Sequence, residues 1–497
     1  MTVLTIILWI SISVIGLLLF HKFKPLIYQS LLLDKDTARL ICNKFIKRYV
    51  GIDVTDWDCY AMYWYDHDTV NKLHHLGLLN KVRQVLYHWG LVESWRIRFV
   101  NQNKSIIAGV NSKGEITFFH ADVPRRELPK KVSKISPEQL KLELAASNEG
   151  LWSQAEVSGA GEKEEALENI TTYWYIAESD NVRMKMTVEL HNGCILSIGS
   201  EQEILTEKMG VAVKKEHLES TLGMTGVIGS LIAVIAAIMV LINMDSRADV
   251  TTSMILGGIL ICCNLLTLKE DIQLTIVNAY DSRISVKMVY IFGTLSTILA
   301  GLSTGFVVFI CSLAGNTVGY SMKWSVWDNP ASQVLSGISI GLACLGLSAA
   351  MFTVLEKKKL LRISPELSNR TVYLSGFTFR QGLNISLQSS LSEETVYRLL
   401  MIPTIWLLTD NMVIAVLVSS VLWAIMHQGT GYHPRWIRWL HLTLFGCLLG
   451  FVFLQYGFIS VLAAHFIHNL ILVCKPLWDY KVRKKLQFGK NTNQSSF

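Results

Sequence analysis

The sequence predicts a mainly α fold: a polytopic transmembrane helix bundle of about nine spans, with an inserted soluble α+β domain made of two similar modules. Three observations carry that expectation. Only 17% of the 497 residues are charged while 51% are hydrophobic, against roughly 25% charged residues in ordinary soluble proteins. The deficit is uneven, because residues 22–220 are rich in charge and nearly everything from 223 to 477 is apolar. Within that second part, apolar runs recur at close to the ~20 residues a helix needs to cross the hydrocarbon core. Together these exclude a disordered chain, a coiled coil and an ordinary soluble enzyme.

The first apolar run, 4–20, is followed at once by His21, Lys22 and Lys24. It lacks the charged leader and small-residue cleavage site of a signal peptide, so residues 1–24 read as a retained anchor. The soluble domain is expected over 25–220, with modules at about 34–123 and 136–203. Each opens on an amphipathic helix (37–50 and 137–147) and ends in alternating segments that read as strands. In the first module these are 95–100, 105–110 and 115–120; in the second, 172–177, 183–190 and 194–199. Turns at 111–114 and 191–193 punctuate them, and 124–137, with Arg125, Arg126, Lys130 and Lys131, is the expected linker. The helix-then-hairpin layout resembles a pair of PepSY-type modules. Asp66, His67, Asp68, His74 and His75 are metal ligands in type, but their spacing matches no standard site, and a solvated helix face is the expectation.

Further spans are expected at 223–243, 253–268, 289–313, 333–355, 388–408, 412–427, 439–455 and 458–474. They divide into additional helices over 221–332 and a core over 333–478, followed by a basic tail, 479–497. Gly301-x-x-x-Gly305 and Gly337-x-x-x-Gly341 are small-residue patterns of the kind that let helices approach closely. Lys269, Arg283 and Lys287 fall on one side of the bundle, with Lys357, Lys358, Lys359, Arg362, Arg435, Arg438 and the tail residues Lys481, Arg483, Lys484 and Lys485. The opposite loops offer Arg247 and Lys323. An excess of Lys and Arg marks the cytoplasmic side, which puts the C-terminus and the soluble domain in the cytoplasm. Trp324 and Trp327 fit an interfacial aromatic belt. The net charge of +7 sits in short loops beside apolar segments, so it reads as membrane orientation and not as a nucleic-acid footprint. Six of the nine Cys lie in apolar segments and no CxxC occurs, which argues against a disulfide framework or a zinc knuckle.

Ionisable residues inside spans cost about 2.5–3.5 kcal/mol each, so they need partners or a wet cavity. Three clusters stand out. In Glu393-Glu394-x-x-x-Arg398 the spacing of four puts Glu394 and Arg398 on one face, leaving Glu393 about 100° away. The alternative there is a helix start, with Ser392 as N-cap and both carboxylates favoured by the helix dipole. Trp423-x-x-x-His427 closes the seventh span, where a lone His is most simply interfacial. His465 and Asn469 share a face well inside the last span; His468 sits near that face and is expected to pack against a neighbouring helix. No Gly-rich phosphate loop or HExxH helix occurs.

As a set, Glu-Glu-x-x-x-Arg, aromatic-x-x-x-His and His-x-x-x-Asn on three apolar helices resemble the CPBP family of intramembrane proteases, also called the CAAX-protease or Abi family, over about 333–478. Trp423 stands where that family's second motif usually has Phe. The resemblance implies hydrolysis of peptide bonds in a membrane-anchored or lipidated protein or peptide, within the bilayer of a bacterial plasma membrane and without nucleic acid. It implies Glu393 as general base with His427 helping to hold the water, Glu394 and Arg398 as a supporting ion pair, and His465 and Asn469 as oxyanion donors. It leaves the cofactor open: zinc held by Glu393, His427 and His465, or no metal at all. The rival class is a non-catalytic sensor, scaffold or transporter in which the polar residues are structural contacts.

Overall fold

The computed structural model describes residues 3–23, 33–79, 81–90, 92–102, 104–129, 135–165, 168–179, 181–243, 249–278, 285–321, 329–363, 378–427 and 432–475. Helix α1 (Val3–Phe23) precedes the soluble part. There α2 (Lys35–Phe45) starts at Asp34, whose carboxylate accepts from the Thr37 N–H at 2.8 Å, and runs into a π-helical turn at Ile46–Val50. Strand β1 (Asp58–Tyr65), α3 (His67–His75) and α4 (Arg83–His88) follow, then β2 (Glu93–Asn101), β3 (Lys104–Val110) and β4 (Ile116–Asp122). The second half carries α5 (Pro137–Leu144), α6 (Leu151–Gln154), β5 (Glu156–Glu165), β6 (Glu168–Ser179), β7 (Val182–His191) and β8 (Cys194–Ile204).

All eight strands form one antiparallel sheet in the order β1-β2-β3-β4-β8-β7-β6-β5. The last strands of the two halves pair, Phe119 opposite Ile198, so the halves share a single core that includes Ile97, Phe119, Trp152, Tyr175 and Ile198. Glu115 ties them further. Its carboxylate accepts from the Leu151 N–H (2.6 Å) and from Asn111 Nδ2 (3.1 Å), and burial pushes the carboxyl above its ordinary range despite those donors. Strands β1 and β5 are not among the expected strands. The β5 sequence EVSGAGEKEE has no alternating apolar face; its glycines make room for a neighbour, since a Cβ on Gly161 would come 2.8 Å from the Trp174 ring. Asp66 is a helix cap: it accepts from the Thr69 N–H (3.1 Å) and from Gln202 Nε2 (2.7 Å), while Asp68 is exposed.

The membrane part runs α7 (Met209–Asn243), α8 (Val250–Leu266), α9 (Leu268–Asn278), α10 (Val286–Ser321), α11 (Pro330–Lys357), α12 (Phe379–Glu394), α13 (Ile402–Thr409), α14 (Met412–Met426), α15 (Arg435–Tyr456) and α16 (Phe458–Lys475). Among the described residues, six helices are long and apolar enough to cross a membrane (α1, α7, α10, α11, α15 and α16), or seven if α8 and α9, bent by 44°, count as one span. By length and composition these residues do not confirm the expected nine. The 412–427 segment is the 15-residue α14, about 22 Å long against a ~30 Å core. The 388–408 segment is split between α12, a π-helical turn at Thr395–Met401, and α13.

Helix α16 reaches its position through small residues on α11: a Cβ on Gly337 would overlap the Ser460 carbonyl, and one on Gly341 the Ala464 carbonyl. The soluble sheet rests on α9, where buried Arg98 of β2 donates from Nη1 to the Ile276 carbonyl at 2.8 Å. Trp324, Trp327, Arg247, Arg283, Lys323, Lys130, Lys131 and the tail beyond 475 lie outside the described residues.

Candidate active site

Helix α12 begins at Thr378, which forms a capping box with Gln381. Glu393 and Glu394 therefore close a 16-residue helix and do not open one; Ser392 lies inside it, its hydroxyl turned back onto the Gln388 carbonyl at 2.7 Å. That removes the N-cap alternative. The π-helical turn that follows carries Arg398. Such turns widen the helix locally and recur at functional sites.

Glu394 and Arg398 are both fully buried. Arg398 Nη1 donates to Glu394 Oε1 at 3.3 Å, and Nε lies 3.2 Å from Oε2 off the N–H axis, an ion pair more than a hydrogen bond. Nη2 donates to the Gly446 carbonyl of α15 at 3.4 Å, and the guanidinium stands 4.6 Å from the centroid of the Trp423 ring. The same Glu394 Oε1 receives His465 Nδ1 of α16 at 2.6 Å. The α12 run and α16 therefore meet on one carboxylate, and Arg398 ties it to α14 and α15.

Glu393 is partly exposed, 22% by side chain, and faces a different set of groups. Ser389 Oγ–H donates to its Oε1 (2.8 Å) and Trp423 Nε1–H to its Oε2 (2.6 Å). His427 Nε2 is 3.4 Å and His465 Nε2 3.9 Å from that same Oε2. His427 ends α14, and its Nδ1 lies 2.9 Å from the Trp423 carbonyl, one of the carbonyls a helix end leaves without a partner. A carbonyl only accepts, so Nδ1 carries the hydrogen and Nε2 keeps its lone pair. In His465, Nδ1 faces a carboxylate, which again turns the Nε2 lone pair toward Glu393.

All six residues singled out in the sequence are thus in one place. Asn469 joins at the edge: its Nδ2 donates to Ser389 Oγ at 3.2 Å, behind Glu393. His468 packs against Phe445, ring centroids 4.9 Å apart. Two residues at the site escaped sequence reading, Ser389 and the indole N–H of Trp423. The signal for Ser389 was present, since it sits one helical turn before Glu393.

Three convergent acceptor atoms suit either a cation or a water that donates both its hydrogens. A carboxylate and two imidazoles are zinc ligands in type. Yet no group of three or more His, Cys, Asp or Glu side chains among the described residues is placed to hold a metal ion. A water between Glu393 Oε2 and a histidine Nε2 would donate one hydrogen bond to each and keep its oxygen lone pairs for attack.

Comparison with known proteins agrees with the geometry. The family described as Type II CAAX prenyl endopeptidase Rce1-like matches residues 376–471, the stretch that contains every residue of the site. The chain is 58% identical over 495 residues, the full length of both proteins, to the sporulation-killing factor biosynthesis protein SkfC of Bacillus subtilis (strain 168). No solved structure matches.

Proposed function

Since the chain belongs to the CPBP family, in its Rce1-like branch, we propose that it is an intramembrane endopeptidase in which Glu393 activates the hydrolytic water. The observation that carries this reading is the meeting of Glu393 Oε2 with His427 Nε2 and His465 Nε2, within 3.4 and 3.9 Å, on three separate helices.

Glu393 takes one proton from the water while the remaining O–H hydrogen-bonds to His427 Nε2, and the resulting hydroxide adds to the scissile carbonyl. His465, its Nδ1–H fixed on Glu394, can carry a mobile proton only on Nε2. The proton taken by Glu393 passes to His465 Nε2, 3.9 Å away. The ring then donates to the developing oxyanion and gives the proton to the leaving amine, restoring the carboxylate; such a donor contributes about 2.7–4 kcal/mol to the transition state. Glu394 holds the His465 ring in place, and Arg398 balances the Glu394 charge that water cannot reach. Asn469 has a second amide hydrogen for the same oxyanion. No step is routed through a metal.

The substrate is a membrane-anchored or lipidated protein or peptide. The relative's name, a biosynthesis protein for a sporulation-killing factor, supports a precursor of such a factor as that substrate. The basic loops support a cytoplasmic C-terminus and a site open to the cytoplasm. The soluble sheet, seated on α9 through Arg98, is a docking or regulatory module for the membrane site. The test is mapping of new protein termini in membranes of cells carrying the wild type or Glu393→Gln. Cleavages present with the wild type and absent with the variant are expected; identical maps from the two would remove the proposal.

A further inference from the structure

Four serines lie on α12. Three satisfy their own hydroxyls by donating backward along the helix: Ser386 to the Gly382 carbonyl, Ser390 to that of Ser386 and Ser392 to that of Gln388, each at 2.7 Å. This is the ordinary way for a hydroxyl to sit in an apolar helix. Ser389 does the opposite, donating forward to Glu393 Oε1 at 2.8 Å and accepting from Asn469 Nδ2 at 3.2 Å. The other oxygen of Glu393 is held from a different helix by the indole N–H of Trp423, a residue only 1% exposed, at 2.6 Å. One oxygen, one donor, each from its own element.

A carboxylate at the end of a flexible side chain rotates freely about its last torsion. With a donor fixed on each oxygen that rotation is removed, and Oε2 is aimed at the two Nε2 atoms. The indole ring is itself wedged, edge-on to His427 (centroids 4.7 Å) and to His465 (5.7 Å), with the Arg398 guanidinium over it. Its N–H therefore has one direction to point.

We propose that Ser389 and Trp423 are positioning residues that clamp the Glu393 carboxylate, with Asn469 orienting Ser389 from behind. The clamp rests on the endopeptidase reading above and sharpens it: the base is held by hydrogen bonds before the substrate arrives. Phe at position 423 would keep the ring, the edge contacts and the cation–π contact and lose only the donor. Ala at 389 would lose the hydroxyl; Thr would keep it.

The test has one arm without substrate and one with it. In the full chain labelled with 15N-tryptophan in detergent, the Trp423 indole signal is identified among those of the 14 Trp by its loss in Trp423→Phe. Its proton is expected downfield and should move upfield in Glu393→Gln, where a neutral amide replaces the charged acceptor. With a synthetic peptide spanning a cleavage found by termini mapping, Trp423→Phe and Ser389→Ala should each lower kcat about 10- to 100-fold at little change in KM. Ser389→Thr should restore most of that loss, and melting temperatures should stay close to the wild type, which a merely structural role would not give. An indole signal indifferent to Glu393→Gln, or wild-type kcat in Trp423→Phe and Ser389→Ala, overturns the clamp while leaving the endopeptidase reading standing. Full turnover by Glu393→Gln itself overturns both.

Discussion

Replacing Arg398 by Met and Glu394 by Leu, singly and together, probes the charged heart of the site. Both side chains are fully buried and pair at 3.2–3.3 Å. Removing either partner strands the other charge away from water, at a cost of about 3–5 kcal/mol. Removing both takes away the charge problem and leaves one defect: the His465 Nδ1–H, which donates to Glu394 Oε1 at 2.6 Å, loses its acceptor, for about 1–3 kcal/mol. The double variant should therefore be more stable than either single variant, with a coupling of roughly 5 kcal/mol between the two positions. Reversible unfolding in mixed micelles, followed by tryptophan fluorescence, measures all four corners of the cycle. Activity should follow a different order, remaining lost in the double variant because the His465 ring is no longer oriented. A double variant whose destabilisation equals the sum of the singles would refute the reasoning, as would single variants within ~1 kcal/mol of the wild type.

Other expectations come from the rest of the chain. A side chain at Gly341 overlaps the Ala464 carbonyl, so Gly341→Leu should push α16 outward and abolish cleavage, whereas a substitution at exposed Leu347 on the same helix should not; paired cleavage assays read the difference. Glu115 has a raised carboxyl pKa, caused first by burial. The protonated form is the one the fold prefers, so its contribution is full below the ordinary value of 4.5 and is lost as pH rises through the folded-state value. Stability of the soluble part should fall with rising pH across that window, and Glu115→Gln should flatten the fall in a pH series of melting curves. If Glu393 acts on water directly, as proposed, chelation by 1,10-phenanthroline should leave turnover unchanged; loss of activity that added zinc restores would require Glu393, His427 and His465 to move into a ligand set.

The parts of the site that could be read from the sequence are those whose chemistry is out of place in lipid. Glu393, Glu394, Arg398, His427, His465 and Asn469 announce themselves because ionisable and amide groups in apolar helices demand partners. Ser389 and the indole of Trp423 do not. A serine can satisfy itself on its own helix, and a tryptophan is apolar enough to need no explanation, so only coordinates reveal where their hydrogens go. The same logic applies to the fold. Apolar runs located the helices, and the apolar run at 412–427 was already short of a full span, but the π-helical turn after Glu394 is not written in hydropathy. Strand β5 was hidden for a related reason. Its place in the sheet comes from pairing with β6 and from the Trp174 ring lying over Gly159 and Gly161, interactions that local alternation does not encode.

Most direct is a comparison of purified wild type and Glu393→Gln on one peptide substrate in proteoliposomes, with melting temperatures recorded on the same samples. If the Glu393 carboxylate is the group that draws the proton from water, the variant melts at or above the wild-type temperature and turns over at least ~1,000-fold more slowly. A variant that cleaves at the wild-type rate, or that loses activity only in step with its stability, contradicts the assignment.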